Sequence, residues 1–182
     1  MFRFFVLTGL LVFAGFAMTA AAQDTNQRTR DLVASLDKTK YKKKEKVNVS
    51  VEVYLDIKNT PAAKANPADY SGLYDADGFR LRLEVASDGS AMGSGFDTLV
   101  DSGKTLNFEL KNARIDGALL TAAKVYDGGR EESFEAAFVH RTSRTGKNPN
   151  DVATTDTKFG LGFIQSAQGN ETWTNRVFLE KR

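Results

Sequence analysis

The stretch Val47-Asn48-Val49-Ser50-Val51-Glu52-Val53-Tyr54-Leu55-Asp56-Ile57 decides the fold class. Apolar side chains occupy every second position over these eleven residues. A β-strand places all of them on one face, whereas a helix would scatter them around its axis. The stretch therefore predicts a strand with one buried face.

Weaker alternation predicts further strands along the chain. Residues 120–126 and 134–141 flank Asp127-Gly128-Gly129, whose glycines tolerate the backbone angles of a tight turn, so this region predicts a hairpin. The other predicted strands are 32–36, 79–85, 106–110, 159–163 and 173–180, the last with Trp173, Val177 and Leu179 inward.

Seven to eight such strands, without an amphipathic helix longer than two turns, predict an all-β fold. We expect an antiparallel, immunoglobulin-like β-sandwich, with a small closed β-barrel as the alternative. The segments between the strands are too short and polar to be the crossover helices of a parallel α/β fold.

The 182 residues begin with a pattern typical of a secretory signal peptide, predicted over residues 1–22. Arg3 supplies the positive charge, an apolar run follows, and Ala20-Ala21-Ala22 gives a small-residue cleavage site. We then expect a flexible lead-in over 23–30 and a single β-sandwich domain over 31–182. The predicted location is secreted or periplasmic, with no transmembrane segment after signal cleavage.

Composition excludes several functional classes. The chain has no cysteine, which rules out a thiol nucleophile, a disulfide framework and a cysteine-based zinc site. A formal net charge of +2 argues against general nucleic-acid binding.

The run Leu36-Asp37-Lys38-Thr39-Lys40-Tyr41, followed by Glu45-Lys46-Val47-Asn48-Val49-Ser50-Val51, resembles the opening of known domains. These are the immunoglobulin-like and macroglobulin-type sandwich domains of bacterial envelope proteins. Lys43 and Lys44 stand where that family usually has Pro-Gly. The resemblance covers about 20 residues, implies the sandwich fold with Tyr41 packed under the first turn, and implies no active site.

Catalysis is not predicted. His140 is the only histidine, and the alternation places it as a half-buried residue on a strand. Paired carboxylates of a small polysaccharide-active hydrolase remain a less favoured alternative, since such pairing is spatial and the sequence selects no pair.

Two long polar segments, 58–78 and 142–158, predict recognition loops. Within the first, residues 66–72 predict one helical turn capped by Asn66, with Pro67 at its first position. Tyr70 and Tyr74 on this segment, and Arg144 and Lys147 on the second, are the predicted partner-binding residues. The tyrosines have an equal alternative, which is to fold back as a lid on the core.

Three smaller patterns have two interpretations each. Asp75 and Asp77 before Gly78 fit the start of a calcium site or a turn into the next strand, and no other cofactor is predicted. The six lysines between residues 38 and 46 fit an anionic surface or a solvated turn at a strand edge. Gly160 and Gly162 indicate close approach of an aromatic ring or, less often, of a ligand or partner backbone.

Together these features predict an exported, non-catalytic binding or accessory module that recognises a protein or glycan of the cell envelope. The alternative is a barrel-type carrier of a small apolar ligand. The thirteen phenylalanines favour that alternative, while the Gly-x-Trp opening of lipocalin-type barrels is missing.

Overall fold

The computed structural model describes residues 27–34, 41–47, 49–76, 78–99, 102–148, 150–175 and 178–182. A helix, α1, covers residues 27–34, and a 3-10 helix covers Pro67–Tyr70. None of the described helices has the length and apolar character needed to cross a membrane. The strands are β1 (Tyr41–Val47), β2 (Val49–Pro61), β3 (Gly72–Ala76), β4 (Phe79–Val85), β5 (Ser90–Thr98), β6 (Thr105–Asp116), β7 (Leu119–Tyr126), β8 (Glu131–Asn148), β9 (Asp151–Gln168), β10 (Glu171–Asn175) and β11 (Leu179–Lys181).

All eleven strands belong to one antiparallel sheet with the order β1-β2-β8-β7-β6-β5-β4-β3-β11-β9-β10. The long strand β8 has three partners, because it pairs with β7 through residues 131–137, with β2 through 139–146, and with β9 along nearly its whole length. Because β8 also pairs with β9, eight strands form a closed ring of pairings. In order around the ring they are β8, β7, β6, β5, β4, β3, β11 and β9. Strands β1, β2 and β10 continue the sheet outside that ring.

The prediction of an all-β, antiparallel, sandwich-like fold is confirmed. The described residues form eleven strands rather than seven to eight, and the sheet is not a clean barrel because three of these strands lie outside the ring. The hairpin at residues 127–129 is also confirmed, with Gly129 donating its N–H to the Tyr126 carbonyl at 2.8 Å. The family resemblance lies on residues 36–51, whose side chains are outside the described part of the chain, and stays a prediction.

The two segments predicted as recognition loops are largely β-strand. The first contains the end of β2, the 3-10 helix and β3, and the second is the tip of the β8–β9 hairpin. The prediction of long loops was wrong because it took polarity as a sign of irregular structure. Threonine is β-branched and common in strands, and it recurs at residues 142, 145, 154, 155 and 157.

The core lies inside the ring and is filled by inward-facing side chains. Strand β4 alternates buried and exposed residues at every position from Phe79 to Val85. The largest members of the core, each at most 2% exposed, are Tyr70, Tyr74, Leu81, Leu83, Phe108, Leu120, Phe134, Phe138, Leu161 and Leu179. The abundant phenylalanines of this part of the chain are therefore packing residues.

Strand β6 contains one extra residue relative to both of its neighbours. Its register shifts between Lys111 and Arg114 against β7, and opposite residues 91–93 against β5. Asn112 has a φ of 53°, the left-handed conformation that asparagine tolerates better than most residues. The bulge reverses the phase of the strand, so that Phe108 and Leu110 precede it and Ala113 and Ile115 follow it on the same inner face.

Helix α1 covers the outer face of β8. The sequence predicted a short opening strand over residues 32–36 instead. That prediction was wrong for residues 32–34, and residues 35–36 lie outside the described part. Thr29 and Val33, one helical turn apart, are 4% and 3% exposed, and Val33 packs with Ala137 and Val139. Arg28 donates to both carboxylate oxygens of Glu135 at 2.7 and 2.6 Å. The last residues of the predicted lead-in are thus part of this helix.

Glycines allow the backbones to approach closely where the ring closes. A Cβ atom added at Gly160 would overlap the carbonyl oxygen of Leu179 on β11 and touch the ring of Phe178. The close approach predicted for this residue is therefore confirmed, and the nearest group is the backbone of a neighbouring strand. Gly95 on β5 is confined in the same way by the carbonyl of Arg80.

We expect Gly160→Ala to destabilise the protein by about 1–3 kcal/mol or more, because the methyl group can fit only if β11 moves away. The measurement is the free energy of unfolding in urea. Gly128→Ala is the matched control, since no atom lies within 4 Å of the added Cβ, and its effect should stay within about 0.5 kcal/mol. Equal stability of the two variants would show that closure does not require the glycine.

Candidate functional site

The structure places the predicted recognition tyrosines in the core. Tyr70 and Tyr74 are both 0% exposed, so the prediction that they bind a partner at the surface was wrong and their alternative role, folding back on the core, is the one observed. The Tyr70 hydroxyl accepts from the Lys64 N–H at 2.7 Å and lies 2.9 and 2.8 Å from the carbonyl oxygens of Ala62 and Gly117. The Tyr74 hydroxyl donates to the Tyr70 carbonyl.

These contacts explain why the tyrosines are inside. The 3-10 helix begins as predicted, with Asn66 Oδ1 accepting from the Ala68 N–H at 3.2 Å and Pro67 in the first turn. It directs Tyr70 onto the ring of Phe138, with the ring centroids 4.0 Å apart. Burial raises the pKa of both tyrosine hydroxyls, so both remain neutral donors at physiological pH.

Arg144 and Lys147 are exposed, as a binding role requires, but they lie on β8 near the tip of the β8–β9 hairpin rather than on a loop. The structure does not bring them near Tyr70 and Tyr74, which lie inside the ring. Their predicted contact with a partner stays a prediction. The single recognition surface made from both segments is not formed.

Asp75, one of the two predicted calcium ligands, lies on β3 and pairs with Arg80. The Arg80 Nε lies 3.0 Å from Asp75 Oδ1, and this hydrogen bond lowers the pKa of the Asp75 carboxyl. Asp77 is outside the described residues. In the described ranges no group of three histidine or acidic side chains could hold a metal ion.

His140 and the described part of the lysine run lie on strands, while Lys38 and Lys40 are outside the described residues. The His140 ring is half-buried, with its centroid 5.5 Å from that of Phe159 across the β8–β9 pair. Lys42, Lys43, Lys44 and Lys46 belong to β1, the terminal strand of the sheet. The predicted solvated turn at a strand edge is therefore an edge strand, paired with β2.

The structure also reveals a buried ionic cluster that sequence reasoning missed. Lys124 on β7 points into the ring and is only 2% exposed. Its Nζ lies 2.9 Å from Asp97 Oδ2, and the Tyr126 hydroxyl donates to the same oxygen at 3.2 Å. Glu132 is 6% exposed, and Arg130 reaches its carboxylate at 3.1 Å. The cluster lies at the end of the core where β7 turns into β8.

Three aromatic rings complete the surroundings of the Lys124 ammonium group. Its Nζ lies 5.2, 4.6 and 4.6 Å from the ring centroids of Phe79, Phe108 and Tyr126. Cation–π attraction therefore adds to the ion pair. Burial nevertheless lowers the pKa of Lys124, since desolvation outweighs the attraction of Asp97. The space between these three rings and Asp97 is occupied by the Lys124 ammonium group itself, which indicates a structural role for the cluster.

The alternation in β7 contains a signal for this cluster. Leu120, Ala122 and Tyr126 occupy the inward positions of the predicted strand, and Lys124 falls in the same phase. A lysine in an inward position requires an anionic partner, because an unpaired buried charge is costly. The partner itself, Asp97, is brought near only by the sheet and is not readable from the sequence.

A solvent-open groove lies on the outer face of β4, β5 and β6. It consists of two adjoining cavities of about 290 and 410 Å³, which share Glu84 and Met92. Met92 is 69% exposed and stands opposite the bulge of β6. The first cavity is further lined by Arg82, Gly93, Ser94, Glu109 and Leu110, and the second by Ser71, Val85, Ala86, Ser90 and Ala91.

The chemistry of the groove changes along its length. Cross-strand register sets Arg82, the small Ser94 and Glu109 in one row, so opposite charges stand on either side of a gap. Among the described residues, neither of these charges nor Glu84 has an ion-pair partner within 4.0 Å. In the second cavity the exposed apolar side chain is Met92, since Val85 and Ala91 belong to or pack against the core. The groove thus combines a charged and an apolar section.

We expect Lys124→Ala to cost about 3 kcal/mol, at the lower end for breaking a buried pair, because Asp97 keeps some solvent exposure. Lys158→Ala is the control, since its pair with Glu180 is exposed, and it should cost clearly less than Lys124→Ala. Unfolding in urea measures both. Lys124→Met combined with Asp97→Asn should recover part of the loss, and no recovery would contradict a role limited to charge compensation.

The lowered pKa of Lys124 also predicts a pH dependence. Between the folded-state pKa and the ordinary value of 10.5, the unfolded chain binds the extra proton, so the free energy of unfolding rises with pH in that window. Below the folded-state pKa, the cost of burying the charge is constant. The difference between the wild type and Lys124→Met, measured by urea unfolding from pH 7 to 10.5, should therefore grow in favour of the wild type. A constant difference would contradict the shifted pKa.

Comparison with known proteins assigns no family. No protein-family model, curated protein or solved structure matches this chain. The candidate site is therefore defined by geometry and charge alone.

Proposed function

We propose that this protein is an exported, non-catalytic binding module of the cell envelope and that it binds a partner protein through the groove around Met92. The observation that carries the proposal is the position of the groove charges. Arg82, Glu84 and Glu109 line a cavity without ion-pair partners among the described residues. On the same strand, Arg80 is by contrast paired with Asp75.

The two sections of the groove suggest what the partner presents. Arg82 and Glu109 would pair with charged groups of both signs, and Met92 would cover an apolar side chain. Methionine adapts its shape to such partners, because its side chain is unbranched and flexible. A protein segment with one apolar side chain next to charged ones fits this order better than a glycan, which would require flat aromatic surfaces and many hydroxyl partners.

The edge of the groove is fixed by hydrogen bonds. Ser71 Oγ accepts from the Val85 N–H at 2.8 Å and links the start of β3 to the end of β4. Asp88 accepts from the Ser90 N–H at 2.9 Å in the turn that follows. A preformed groove loses little conformational entropy when a partner binds. The proposed export rests on the signal-like residues 1–22 of the sequence.

Site-specific photo-crosslinking in intact cells tests the proposal. A photoreactive amino acid at Ser94 should give an adduct of discrete mass, because this position lies in the groove. The same amino acid at Lys104, an exposed residue of the β5–β6 turn, is the matched control and should give none. Adding Met92→Lys to the Ser94 variant should remove the adduct, since it would place an amine in the apolar section. Equal labelling at both positions, or none at either, would contradict the groove as a binding site.

A further inference from the structure

The β8–β9 hairpin has one side without a partner strand. Strand β9 pairs with β8 along residues 151–167, but on its other side β11 contacts only Gly160 and Leu161, and β10 only residues 164–168. Among the described strands, none pairs with that side of residues 151–159. Residues 153–158 are all exposed. We call residues 151–159 the open edge.

The open edge lacks most of the sequence features that prevent two sheet edges from pairing with each other. It contains neither proline nor glycine, and threonine supplies three of its nine residues. Its one lysine, Lys158, is held by Glu180 at 2.7 Å. Asp151 and Asp156 then leave the edge with an excess of negative charge. Another negatively charged edge would be repelled, whereas a basic strand would be attracted.

The same chain has a basic edge strand. Strand β1 ends the sheet on the opposite side and carries four lysines and one glutamate in seven residues. Each step from β1 through β2 and β8 to β9 is antiparallel, so β1 and β9 run in opposite directions. A second copy in the same orientation therefore presents its β1 antiparallel to the open edge of the first.

We propose that the molecules associate head to tail, with β1 of one copy adding to the open edge of the next. Backbone hydrogen bonds between the seven-residue β1 and the nine-residue open edge supply the affinity. The lysines of β1 and the aspartates of the open edge select this pairing over two identical edges. The contact is heterologous, so it generates chains or rings rather than closed twofold dimers. It lies apart from the groove around Met92.

Analytical ultracentrifugation over a range of protein concentrations tests the association. The wild-type protein should form dimers and larger species as concentration rises. Asp156→Lys makes the open edge basic, and Lys43→Asp combined with Lys44→Asp makes β1 acidic. Each should weaken self-association at least about tenfold. Glu131→Lys, the same charge change at an exposed position outside both edges, should leave it unchanged.

Mixing the two edge variants gives the decisive measurement. Asp156→Lys retains a wild-type β1, and the β1 variant retains a wild-type open edge. A head-to-tail contact therefore predicts that the mixture associates although each variant alone is monomeric, because in the mixture each β1 meets an open edge of opposite charge. A mixture that stays monomeric would overturn the proposal, and wild-type self-association of either variant alone would overturn it in favour of pairing between identical edges. A wild type that is monomeric at every concentration would also overturn it.

Discussion

The close approach of β11 to β9 at Gly160 is the constraint on which the rest of the structure depends. Because the Leu179 carbonyl takes the space of a side chain there, the short strand β11 can bridge β9 and β3 and complete the ring of pairings. The closed ring surrounds the core with strands. Without it, β3 and β9 would be open edges, and the apolar faces of β4 and β8 would have nothing opposite them.

Enclosure also explains the energetics of the Lys124 cluster. A lysine inside the ring loses its hydration, and only Asp97, Glu132 and the surrounding rings replace it. Such a cluster adds little net stability compared with an apolar core of the same volume, but it is costly to break one partner at a time. The groove on the outer face carries no such constraint.

Local alternation was enough to predict the strands whose two faces differ in polarity. Strand β4 shows this most clearly, since every second residue from Phe79 to Val85 is buried. The tip of the β8–β9 hairpin was predicted as a loop because both of its faces are polar, and its pairing depends on partners far along the chain. The position of Tyr70 could not be read either, since it is set by three backbone groups that only the fold brings together. The groove likewise results from the register of three strands.

The bulge at Asn112 lets the inner face of β6 serve the core while its outer face lines the groove. One inserted residue keeps the core face of β6 apolar on both sides of the phase change, while its outer face is set against Met92. Substitutions at Arg82, Ser94 or Glu109 alter only outward side chains and leave the interior packing intact. The scaffold can therefore acquire new specificities in evolution by point changes on one face, without compensating changes in its core.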